Sequence, residues 1–181
     1  MRFDGTRATP RAWIDEVRNH DLVVYFGHSV AGHGDPDRAA LMLNDGSGSP
    51  APMSAGDVYR EASRERLFSQ HALIVFASCS GGRAFPGGWD SDRELTGLSV
   101  AHLHAGCGAA IAASRPLLDA PTLVLLEAFL GRILKGDDAT TGLTEAQREM
   151  AKSQTPYRHP HFWGYLGLMG VPHWRFDNEQ G

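Results

Sequence analysis

The sequence predicts an α/β fold built on a mostly parallel sheet, and three features carry that expectation. Leu22-Val-Val-Tyr-Phe26 and Leu73-Ile-Val-Phe-Ala77 are short, continuous apolar runs rich in branched and aromatic residues. Runs of that kind, closed abruptly by small residues, read as strands buried on both faces of a parallel sheet. Stretches with helical periodicity alternate with them along the chain, the pattern of a doubly wound sheet with helices on both faces.

In chain order, Thr9 to Asn19 is a short amphipathic helix. Thr9 suits its N-cap, Pro10 its first position, and Trp13, Ile14 and Val17 share one face. Leu22 to Phe26 is the first core strand, followed by a Gly/Pro/Asp loop over 30–37. Ala40 to Leu43 is a short strand and Asn44 to Gly48 a turn. Ser54 caps a helix expected to reach Phe68, with Val58, Ala62 and Leu67 inward. After the Leu73–Ala77 strand, Arg83 to Asp92 is an irregular Gly/Pro loop long enough to suggest function. Helix is expected over 94–105, a small-residue strand over 108–113, and the longest helix over 119–134, closed by Lys135-Gly136. Thr144 and Gln147 have capping-box spacing for a helix to Ser153, and Phe162 to Met169 reads as the last strand.

Composition narrows the function. The 181 residues, 42% hydrophobic and 21% charged, suit one domain over 1–181, with no internal linker or repeat. A net charge of −4 leaves no footprint for nucleic acid. No apolar stretch has transmembrane length, so no membrane partner is expected, and Met1 to Arg7 lacks the hydrophobic segment of a secretion signal. Cys79 and Cys107 cannot form a disulfide scaffold, which fits a reducing cytoplasm.

The two apolar strands deliver chemistry at their carboxyl ends, where ligands and catalytic groups of open α/β sheets collect. One presents Gly27-His28-Ser29 and the other Ser78-Cys79-Ser80-Gly81-Gly82. A cysteine nucleophile needs a nearby base and N–H donors for the oxyanion, and the Gly-Gly step permits such backbone geometry. His28 precedes Cys79 by 51 residues, similar to the roughly 50 that separate the pair in caspase-type peptidases. The bland readings are an inert core cysteine and a satisfied core histidine. His33 competes as base but lies well beyond the strand.

Gly27-His-Ser-Val-Ala31 also looks like a nucleophile elbow with Ser29 as nucleophile, an α/β-hydrolase-type serine esterase. Gly32, Gly34 and Pro36 interrupt the helix that an elbow requires, and few residues precede Ser29. The glycine spacing of a phosphate loop over 27–33 fails at His33, where lysine is required. His102, His104 and Cys107 invite a zinc reading, but helix positions two apart diverge, so no metal site is expected. His159 and His161 flank Pro160 and close the last strand, and Cys107 is a packed helix-end residue.

Several of these segments, taken in order, resemble the CHAT domain, a family of caspase-like cysteine peptidases allied to separase. They are the strand ending at His28, the cysteine strand, Glu94–Leu98 with His104–Gly106, Ala109–Ser114, and Tyr157–Tyr165 through Gly170. The resemblance implies a caspase-like three-layer α/β/α sandwich and a cysteine endopeptidase using Cys79 as nucleophile and His28 as base. The backbone N–H groups of Ser29 and Cys79 would hold the oxyanion, and Arg83, Trp89 and Asp92 of the loop would line the substrate groove. No cofactor is needed. The partners implied are a protein or peptide substrate and a regulatory or sensor protein, in a cytosolic defence or cell-death pathway. Three departures stand out. Ser29 replaces the glycine usual after the histidine, and Ala77 stands where some relatives hold an acidic residue. The chain also begins almost at the histidine strand, as a fragment, processed subunit or short form would. A CHAT-like module that binds a partner without cutting is the competing class.

Overall fold

The computed structural model describes residues 5–30, 35–64, 67–68, 71–78, 97–114 and 116–176. A four-stranded sheet forms the centre, built from β1 (Leu22–Phe26), β5 (Leu73–Ala77), β6 (Ala109–Ala113) and β7 (Leu166–Gly170), in the order β1-β5-β6-β7. The first three strands are parallel and β7 runs antiparallel to β6. Helices cover both faces, as the alternating pattern requires. On one face α1 (Pro10–Asn19), α2 (Ala55–Ala62) and α3 (Leu98–His104) bury Trp13, Val17, Val58 and Leu98 against Ile74 and Phe76. On the other, α4 (Asp119–Ile133) and α5 (Ala139–Lys152) bury Leu125, Phe129, Ile133 and Met150 against Leu73, Val75 and Ile111.

A second, antiparallel sheet of order β2-β3-β4 lies beside the first helical layer: β2 (Ser29–Val30), β3 (Ala40–Asn44) and β4 (Pro50–Ser54). The sequence does not announce β4, because Pro50 and Pro52 read as breakers. Both are tolerated on this edge strand, opposite Asn44 and Met42. The Met42 N–H points the other way, to the His28 carbonyl, so the proline positions are those that owe no donor to β3.

Four expectations need correction. β1 is an edge strand, not one buried on both faces: Val24 and Phe26 are 38% and 48% exposed. α2 ends at Ala62, not Phe68, where the Ser63 hydroxyl turns back to the Arg60 carbonyl. Leu67 and Phe68 are still buried, beyond the helix. α5 begins at Ala139, capped by the Asp138 carboxylate on the Thr141 N–H, so Thr144 is interior. Gly142 lies in that helix close against Ile133, whose Cδ1 would stand 3.1 Å from a Cβ there. The last strand starts at Leu166, because Pro156 and Pro160 open two 3-10 turns ahead of it, and His159 and His161 lie in or beside those turns. The Thr9 and Ser54 caps, the bounds of β1 and β5, and those of α4 to within one residue are as expected.

Candidate active site

The site is built where β1 and β5 end. Their register pairs Leu22 with Leu73 and continues to Phe26 with Ala77. Gly27 extends the ladder one step, its N–H donating to the Ala77 carbonyl at 3.4 Å. His28 comes next, exposed, on the wall of a groove of about 760 Å³ between α1, the free side of β1, and β3.

Three contacts fix the turn that carries His28. The Met42 N–H donates to the His28 carbonyl at 2.9 Å. The Tyr25 hydroxyl donates to the same carbonyl at 2.6 Å and lies 3.1 Å from the Met42 carbonyl. The Tyr25 ring folds under Gly27, where a Cβ would sit 2.9 Å from its Cζ and hydroxyl oxygen, so this step of the chain needs glycine. Burial pushes the Tyr25 phenol up to about 12, which keeps it a neutral donor at ordinary pH. Sequence reasoning passes over Tyr25, although a signal is present: a hydroxyl on an otherwise apolar, inward-facing strand position must find an acceptor.

Ser29 opens β2 and pairs with Leu41. Because His28 takes the ladder bond from Met42, alternation turns the Ser29 N–H away from β3. A strand, not a helix, succeeds Ser29, the opposite of what a nucleophile elbow requires. On β5, Ala77 and Ser78 are buried, and among the described residues the Ser78 hydroxyl has no hydrogen-bond partner. Cys79, Arg83, Trp89 and Asp92, the rest of the 83–92 loop, and His33 lie outside the described residues.

His102 is a structural histidine. It is fully buried, stacked on Phe68 and edge-on to Phe76 and Trp13. The Trp13 indole N–H donates to Nε2 at 3.0 Å, and Nδ1 lies 2.7 Å from the Leu98 carbonyl. Those partners fix a neutral ring with its proton on Nδ1 and leave no lone pair for a metal. Burial drives its pKa down to about 4, against the opposing pull of the Leu98 carbonyl. His104 packs edge-on against Tyr59. Cys107 is 5% exposed just past α3, and burial pushes its thiol up to about 12. Among the described residues no cluster of three His, Cys, Asp or Glu could hold a metal, and no helix is long and apolar enough to cross a membrane.

Comparison with known proteins gives a family and a fold. The CHAT domain family model matches residues 1–171. Among solved structures the chain is similar to the Arg-specific cysteine proteinase gingipain R, with a TM-score of 0.61 at 15% identity over 93% of this chain. The fold is therefore caspase-like; the chain spans 36% of that proteinase's length. A search of curated proteins finds no match.

Proposed function

Because the chain belongs to the CHAT domain family, we propose that it is a cysteine endopeptidase in which Cys79 attacks and His28 acts as base. One observation carries this reading. Phe26 and Ala77 are paired neighbours at the ends of parallel strands, and His28 and Cys79 each stand two residues further along the sequence. Adjacent strands lie about 4.8 Å apart, so equal offsets favour an imidazole and a thiol within reach of one substrate.

In the proposed reaction His28 accepts the Cys79 thiol proton and the thiolate attacks the peptide carbonyl carbon. The oxyanion is held by the N–H groups of Ser29 and Cys79. Collapse breaks the C–N bond, His28 passes its proton to the leaving amine, and water then releases the acyl group from sulfur. Arg83, Trp89 and Asp92 would border the bound peptide. Family membership also supports a regulatory or sensor partner and a role in cytoplasmic defence or cell death.

Thiol reactivity tests the pair. With iodoacetamide at pH 7, read peptide by peptide in the mass spectrometer, Cys79 should label at least about tenfold faster than in His28→Ala. Slow, equal labelling of the two proteins would remove the peptidase reading and leave the partner-binding module.

A further inference from the structure

We propose that Tyr25 is a positioning residue for His28, holding its backbone through the hydroxyl so that the imidazole is carried from one fixed Cα–Cβ direction at the strand end. This deepens the reading of His28 as the base and rests on it.

His28 sits between the end of β1 and the start of β2, on the exposed edge of the sheet. An edge residue past its last bond to the main sheet has few restraints there, yet a base must be held to within a fraction of an ångström. Packing of the His28 side chain cannot supply this, because the residue is exposed. The restraint therefore has to come through the main chain. Two donors converge on the His28 carbonyl, the Met42 N–H at 2.9 Å and the Tyr25 hydroxyl at 2.6 Å, and together they fill both lone pairs. With its carbonyl direction set, the peptide plane after His28 is set, and the Cα–Cβ bond has little freedom left.

The lever itself is rigid. The Tyr25 ring is buried and meets Trp13 edge-on at 5.7 Å, with Gly27 lying directly against its hydroxyl end. Its oxygen is also 3.1 Å from the Met42 carbonyl, so it bridges the strand that carries the histidine and the strand that braces it. Phenylalanine would fill the same space without making either contact, which separates a positioning role from a packing one.

The test uses the full chain in four forms: wild type, Tyr25→Phe, Gly27→Ala and His28→Ala. Gly27→Ala reaches the same hydroxyl from the other side, since its Cβ would stand 2.9 Å from that oxygen, and it deletes no atom of Tyr25. Leu125→Ala, in the opposite core layer, lowers thermal stability without touching this turn. The first readout is the ring carbon–proton NMR signal of His28. It should be single in wild type and in Leu125→Ala, and broadened or doubled in Tyr25→Phe and Gly27→Ala. The second is the pH profile of Cys79 alkylation. In both turn variants the rate near pH 7 should fall severalfold, toward the rate of His28→Ala and not beyond it.

An unchanged His28 signal in Tyr25→Phe and Gly27→Ala overturns the proposal, whatever the labelling shows. So does a signal that Leu125→Ala broadens equally. If His28→Ala labels like wild type while Tyr25→Phe still splits the His28 signal, the positioning role stands and the Cys–His reading is the one that falls.

Discussion

Acidification below pH 6.5 asks the unfolded chain and the folded protein to bind a proton at very different costs, and His102 is where the difference is largest to work out. In the folded state burial holds its pKa near 4, against an ordinary value of 6.5. A base with a depressed folded pKa takes up its proton first in the unfolded chain. Its contribution to stability is therefore whole above pH 6.5, shrinks as the pH falls, and levels off below about 4. The gap of about 2.5 pH units, at roughly 1.4 kcal/mol each, gives about 3 kcal/mol in full and about 2 kcal/mol by pH 5. The geometry supplies the cause. A second ring proton would fall on Nε2, facing the Trp13 N–H at 3.0 Å, donor against donor in a pocket of aromatic rings. Carboxylates also lose stability in acid, among them Asp138, held low by the Thr141 N–H, so a reference variant is needed. His102→Gln keeps an acceptor for Trp13 and does not titrate. Urea unfolding of both proteins from pH 7.5 to 4.5 should show His102→Gln less stable at the top of the range, with wild type falling faster by about 2 kcal/mol at pH 5. Curves that fall in parallel would refute the account.

Close packing and burial give two further outcomes. Gly170→Ala puts a Cβ on a residue with φ of +93° and 2.4 Å from the Gly108 carbonyl oxygen, so β7 must pull away from β6. Urea unfolding should show a loss of roughly 2–4 kcal/mol, and a loss under about 0.5 would mean that the strand end shifts freely. Cys107, 5% exposed with its thiol pushed up to about 12, should stay unlabelled by iodoacetamide near pH 8 in the native protein and label fully in strong guanidinium. Native labelling of its peptide would contradict the burial.

Where the sequence speaks plainly, one local rule acts alone. Thr9-Pro10 and Ser54 with Asp57 are capping signatures whose bonds form within one turn, and the runs over 22–26 and 73–77 have no competing period. It misleads where tertiary contacts decide between local options. Thr144 and Gln147 have the spacing of a helix start, yet Asp138 caps the helix ahead of both, and Pro50 and Pro52 look like loop until β4 proves to be an edge strand. The apolar pattern of β1 matches that of β5, yet only β5 has neighbours on both sides. Composition along a strand reports that it belongs to a sheet, and its place in the order is set by the contacts that the rest of the chain supplies. At the site, His28 and Cys79 are legible as residue types at strand ends. Tyr25 is legible only as a hydroxyl that needs an acceptor, because the partner it finds, the His28 carbonyl three residues on, is set by the turn.

The difference between the two strands explains why the small antiparallel sheet exists beside the large one. β5 is buried along its whole length, so its end, at Ala77, is located by core packing. β1 is half exposed and paired only with β5, so nothing in the main sheet locates the residues beyond Gly27. β3 does so from outside, through the Met42 N–H on the His28 carbonyl. It is itself anchored by its five-residue pairing with β4 and by Leu41 and Leu43 in the core. The outer strand thus lends the edge the rigidity that a flanking strand of the parallel sheet would otherwise give, while leaving the groove along β1 open. A histidine placed this way is exposed to solvent and still held through its main chain, which is the combination that the proposed role as a base needs.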